Sequence, residues 1–281
     1  QELMYILSIQ IPEYPGSNTY RTLIEIPNRE KPPITEGNTT RYEGAYYIFQ
    51  SLLESILSRK KPTFRQSDIT VIPTLCTPYL LTEKVMDGTT VISTTNVPVK
   101  YAIKAGFNPT DFELWGGRFF SNHLSNTKQF LTWQENNKRV SPQQEEYLYF
   151  LLNFTPVPTT VKLRVKAIYT DASEEIFTAK QIVGTQYMQI LCVPVGAFLL
   201  SFNSEKTLQS YTVWLSDGIN NRISQQRTYY IETQYFSQKR EILFSNSFSC
   251  FETLSLTGVS TEALQVSRLS AYREKPNYQS P

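Results

Sequence analysis

The sequence predicts a mainly β protein made of tandem antiparallel β-sandwich domains, with one helix in the first. Three observations carry the prediction. Short runs rich in β-branched and aromatic residues, such as "YILSIQI", "YRTLIEI", "TVIST", "VKLRVKAIY" and "RTYYIE", recur between Pro, Gly, Asn and Asp. Within "VKLRVKA", Val161, Leu163, Val165 and Ala167 alternate with Lys162, Arg164 and Lys166, the period of a strand with one core face and one water face. One segment breaks the period, and it reads as a helix. Regularly spaced short strands of this kind suit immunoglobulin- or fibronectin type III-like sandwiches.

The elements follow in order. Residues 1–105 are expected to form the first sandwich domain, its helix near 45–60. In "AYYIFQSLLESILSRKK", Phe49, Leu52, Leu53, Ile56 and Leu57 recur at three- and four-residue spacing. Arg59, Lys60 and Lys61 would then complement the negative end of the helix dipole and Pro62 would stop it, giving about four turns against the first sheet. A membrane-surface helix would instead carry basic residues along its whole polar face.

The stretch "KAGFNPTDFELWGG" concentrates Gly, Asn and Pro and marks a boundary, so the second sandwich is expected over 106–235. "TDAS" at 170–173 supplies a turn and "EEIFTA" its returning strand. "LLTEKVMDGTTVISTTNVPVKYAI" and "YTVWLSDGINNRISQQRTYYIE" echo one another as strand, Asp-Gly turn, polar strand and aromatic strand. Residues 236–281 read as C-terminal strands and a linker, "YREKPNYQSP", leading towards a further module.

Composition narrows the chemistry. Of 281 residues, 27 are basic and 25 acidic, and a net charge of +2 makes no sequence-wide case for nucleic acid or anionic lipid. Cys76, Cys192 and Cys250 lack CxxC spacing, and Cys192 in "QILCVPV" reads as a buried free thiol. With one histidine, His123, a four-ligand zinc site is improbable and no cofactor is implied. No apolar stretch approaches the roughly twenty residues of a membrane span. The chain begins at Gln1, so the absence of a leader says nothing about export.

Any triad chemistry would have to pass through His123, which stands in the polar loop "FFSNHLSN" without a nucleophile motif. Gly116-Gly117 matches no phosphate loop, and Asp87-Gly88 and Asp217-Gly218 are turn formers rather than calcium loops. Glu145-Glu146 and Glu174-Glu175 are the visible carboxylate doublets. Neighbours on a strand face opposite ways, so neither doublet forms a glycosidase pair by itself. Asn38 and Asn153 lie in sequons.

The aromatics are the richest signal, with 18 Tyr, 16 Phe and 3 Trp. In "EEYLYFLLNF", Tyr147, Tyr149 and Leu151 share one face and Leu148, Phe150 and Leu152 the other, as in a strand covered on both sides. Trp214 differs. With a turn centred near Ile219 it lies with Thr212, Ser216, Arg222, Ser224 and Gln226, while Tyr211, Val213, Leu215 and Ile223 face inward. Trp214, Arg222 and Gln226 are therefore the candidate binding residues, for a sugar ring or a neighbouring subunit. A one-residue bulge would return the tryptophan to the core.

"KRVSPQQEEYLYFLLNF", "SYTVWLSDGINNRISQQRTYYIE" and "ILFSNSFSCFETLSLTG" resemble, over about residues 100–260, the large β-sandwich proteins of Bacteroidetes and their phages that are tail-associated or surface components. The resemblance implies a structural role and carries over no catalytic residue. The expectation is a non-enzymatic structural or interaction protein, extracellular, on the cell surface or in a phage tail-like virion. Its partners would be copies of itself or other assembly proteins. A module binding host surface glycan is the alternative, and a glycoside hydrolase the third.

Overall fold

The computed structural model describes residues 3–258 apart from 33, 37, 38, 42, 43, 107–109, 111–127, 235 and 237. Strands β1 (Leu3–Pro12) and β2 (Tyr20–Arg29) pair antiparallel, and the short β3 (Ile34–Glu36) and β4 (Thr39–Arg41) pair with each other. Helix α1 (Gln50–Ile56) and β5 (Thr70–Val71) precede the long hairpin of β6 (Cys76–Asp87) and β7 (Thr90–Ile103). One four-stranded sheet runs in the order β2-β1-β6-β7. Asp87 pairs with Thr90 across Gly88-Thr89, and Gly88 takes the left-handed φ of 59° that so tight a turn demands. Pro27 and Pro98 sit on edge strands, where a missing N–H breaks no interior ladder.

Leu7, Ile9 and Ile11 of this sheet bury against Leu53 of α1, with Phe49 and Ile56 beside them. The helix has seven residues, about two turns rather than four. At Leu57 the backbone is already extended, and Ser58 donates its N–H to Thr74 O at 3.0 Å. This extended partner captures the chain before the basic run, so Arg59, Lys60 and Lys61 lie beyond the helix. Arg59 Nε instead donates to Ser249 Oγ at 3.1 Å.

The remaining strands are β8 (Lys138–Val140), β9 (Tyr147–Leu151), β10 (Thr160–Tyr169), β11 (Glu174–Val183), β12 (Ile190–Pro194), β13 (Leu208–Ser216), β14 (Arg227–Ile231), β15 (Lys239–Ser245) and β16 (Phe251–Thr257). A five-stranded sheet, β11-β10-β13-β14-β8, faces a three-stranded sheet, β5-β12-β9. Pairing is antiparallel except between β14 and β8. The molecule is thus mainly β and sandwich-like. Between these two sheets lies the main core: Val161, Leu163, Val165, Tyr211, Val213 and Leu215 from one side, Leu148, Phe150, Leu191 and Val193 from the other.

Strands β9 and β12 are buried at every position. Tyr147, Tyr149, Leu151, Ile190 and Cys192 point away from the main core into a second one, with Ile72, Leu75, Cys76, Phe248 and Cys250. All three cysteines are free and buried. The divisions expected at 105 and 235 are bridged here, because β5 pairs with β12 and this core draws residues from all three parts of the chain. The two echoing segments each form a hairpin, but the first is a continuous two-residue turn and the second opens into a loop at 217–226.

The C-terminal hairpin β15–β16 is fastened by a buried ion pair. Lys138 Nζ lies 2.7 Å from Glu146 Oε1 and also donates to Thr253 O. Gln144 Nε2 donates to the same carboxylate, and Ser255 Oγ to Gln144 Oε1 at 2.9 Å. Gly196 lets the chain pass: a Cβ there would stand 2.6 Å from Gln144 O. Burial pushes the Glu146 carboxyl above its ordinary 4.5, with Lys138 pulling it back.

The folded state therefore binds a proton on Glu146 more tightly than the unfolded chain. That contribution to stability is complete below pH 4.5 and is lost as pH rises through the folded value. Glu146→Gln removes the titration, so its urea-melt stability relative to the parent should improve steadily as pH is raised. Lys138→Met leaves the carboxylate buried and unpaired and should cost about 3–5 kcal/mol near neutral pH.

Candidate functional site

Strand β13 places Trp214. Tyr211, Val213 and Leu215 are fully buried in the main core, which turns Thr212 and Trp214 to the outer face of the five-stranded sheet. Trp214 is half-buried there. Opposite it on β10 stands Arg164, with Lys162 and Lys166 on the same face. Thr212 and Thr228 bond across β13 and β14 at 2.9 Å, and the exposed Tyr230 extends the face towards β8.

The return strand carries two residues more than an even hairpin would. Val213 pairs with Arg227, whereas Ser216 pairs with Arg222. Two extra residues restore the alternation, so Trp214 stays outside. They also correct part of the expected face: Ser216 and Ser224 are buried, not exposed beside Trp214. Ser224 Oγ accepts the Leu215 N–H at 2.8 Å in place of a ladder carbonyl and donates to Gln225 O. Arg222 and Gln226 are exposed at the two ends of this irregular stretch, Gln226 just before Arg227, the partner of Val213.

The turn itself is held by Asp217, whose Oδ1 accepts the N–H groups of Ile219 and Asn221 at 3.0 and 2.8 Å. Lys162 Nζ donates to Gly218 O at 2.7 Å and Arg164 to Thr178 Oγ1 at 2.7 Å, both neutral acceptors. Lys166 pairs with Glu174 at 2.8 Å and Arg139 with Glu232 at 3.7 Å at the margins. Trp214 thus sits on a face whose centre is cationic and whose rim is neutralised. Arg164 was visible as an outward residue of "VKLRVKA"; its place across from Trp214 depends on strand order, which no local signal carries.

The carboxylate doublets separate as alternation requires. Glu146 is 3% exposed and engaged by Lys138 and Gln144, while Glu145 Oε2 accepts the Tyr147 hydroxyl at 2.7 Å. Glu174 pairs with Lys166, and Glu175 accepts the Tyr169 hydroxyl at 2.7 Å. His123, Gly116, Gly117 and Asn38 lie outside the described residues; Asn153 is half-buried just after β9. Among the described residues no three His, Cys, Asp or Glu side chains gather to hold a metal, and no helix is long and apolar enough to cross a membrane. No protein-family model matches the chain, and no curated protein matches it.

Truncating Trp214 on the outer face and Leu215 in the core separates the two environments. Trp214→Ala should lower unfolding stability by no more than about 1 kcal/mol, and Leu215→Ala by about 2–5 kcal/mol, in the same denaturant series.

Proposed function

We propose that this is a non-enzymatic structural and interaction protein of an extracellular or virion assembly of the phage-tail type, which docks to copies of itself or to other assembly proteins. The observation that supports it best is on the C-terminal hairpin. Ile242 and Leu254 stand opposite one another on its outer face, 43% and 46% exposed, with Phe244 at 38% and Leu256 at 48% on either side. Inner-face partners Leu243 and Phe251 pack into the second core, so the hairpin is held rigidly while its outer apolar ladder meets solvent. Neither hairpin edge pairs with another described strand. An exposed apolar stripe of this kind is the chemistry of a docking surface.

Purified protein should self-associate in sedimentation equilibrium, and Ile242→Asp with Leu254→Asp should return it to monomer with an unchanged melting curve. A strict monomer at high concentration, with no companion recovered from purified particles or envelopes, would overturn the reading.

A second reading rests on the other face: a carbohydrate-binding surface formed by Trp214, Arg222 and Gln226 with Arg164. It expects micromolar-to-millimolar binding on a glycan array that Trp214→Ala weakens by about tenfold or more, and a flat array sinks it.

A further inference from the structure

A cleft of about 440 Å³ lies where the four-stranded sheet meets the three-stranded one, and nothing in the preceding roles uses it. None of its lining residues is charged, although 19% of the chain is. Three tyrosines line it: Tyr20 from β2 and Tyr101 from β7, the two edge strands of the four-stranded sheet, and Tyr187 from the turn before β12. Tyr101 and Tyr187 meet edge to face at 5.7 Å and 82°, and Tyr187 remains 45% exposed at the mouth. Burial raises the Tyr101 hydroxyl above 10.0, with Cys76, Tyr187 and Tyr20 adding to the shift, so it is a protonated donor at neutral pH.

The Ser17 hydroxyl, which accepts the Thr19 N–H at 3.0 Å, and the amide side chains of Asn18, Gln186 and Gln189 add further polar groups. The turn that carries two of them is pinned. Gly184 N–H donates to Thr159 O at 2.7 Å and Met188 N–H to Leu152 O at 2.7 Å, while Gln186 N–H donates to Gln189 Oε1 at 3.0 Å. The last bond occupies Gln189's oxygen and leaves its NH₂ to donate. Behind the opening, Cys76 and Ile190 belong to the second core, so both walls are anchored in one packed unit.

We propose that this cleft is a binding site for a neutral saccharide of one or two rings. A pyranose offers an apolar C–H face and a girdle of hydroxyls. Tyrosine rings take the first, and amides and phenols the second. The volume falls in the usual range for small ligands, about 300–1,000 Å³. Lack of charge disfavours acidic sugars and phosphates, which would enter an uncharged cleft without a counter-ion. Proline-rich peptides seat their rings between separated aromatics. Here the edge-to-face contact of Tyr101 with Tyr187 closes that slot.

The test is saturation-transfer NMR on the intact chain with maltose, cellobiose, lactose and N,N′-diacetylchitobiose, each at about 10 mM, the weak end of small-sugar affinities. Transfer to at least one disaccharide is expected, insensitive to salt. It should fall by about tenfold or more in Tyr187→Ala and in Gln186→Ala, both at exposed turn positions, and persist in Trp214→Ala. Transfer to none of the four overturns the proposal. So does loss in Trp214→Ala with retention in Tyr187→Ala, which would place sugar on the outer sheet face, or saturable binding of a proline-rich decapeptide that Tyr187→Ala abolishes.

Discussion

The two larger cores among the described residues are built on the two faces of a small sheet that has no solvent face. Strands β9 and β12 pair over five residues, and each sends one set of side chains into the main core and the other set into the second. Their outer edges are closed by short extended pieces: β5 pairs with β12, and Leu131 donates its N–H to Tyr149 O at 2.8 Å. A sheet buried on both faces needs every backbone group paired and a layer on each side. The five-stranded sheet supplies one layer. The base of the four-stranded sheet and the C-terminal hairpin supply the other.

Polar groups enter these cores at a cost, and their placement is informative. The Lys138–Glu146 pair sits where β8, the end of β9 and β16 converge, so its bonds fix the position of the hairpin relative to the sandwich. A buried pair of this sort often adds little net stability over apolar packing, yet removing one partner leaves an uncompensated buried charge. The thiols are apolar filler: burial lifts Cys76 to about 12 and Cys192 to about 11, far from a reactive thiolate. The Ser216 Oγ is buried without a protein partner among the described residues, a loss borne by the packing around it.

With the interior so occupied, distinct chemistry is left to the outside, and it is sorted by surface. The five-stranded sheet carries a cationic face around Trp214, the terminal hairpin an apolar ladder, and the junction cleft only neutral groups.

Much of this was legible along the chain. Alternation alone identified β10, the two-sided burial of β9 and the inward set of β13, because side-chain direction in a strand has period two whatever the strand pairs with, and the Asp-Gly pairs marked turns. It also determined that Trp214 faces away from Val213 and Leu215. Sequence did not determine the length of α1, since the helical spacing through Leu57 competes with an extended contact to Thr74 that is distant in sequence. Nor did it reveal that Arg164 lies across from Trp214, that Ser216 and Ser224 turn inward, or that Tyr20, Tyr101 and Tyr187 share one cleft. Those facts depend on which strands become neighbours and on a two-residue offset in one hairpin. Tertiary structure alone decides them, because strand order is set by the global burial of apolar faces rather than by any residue's local preference.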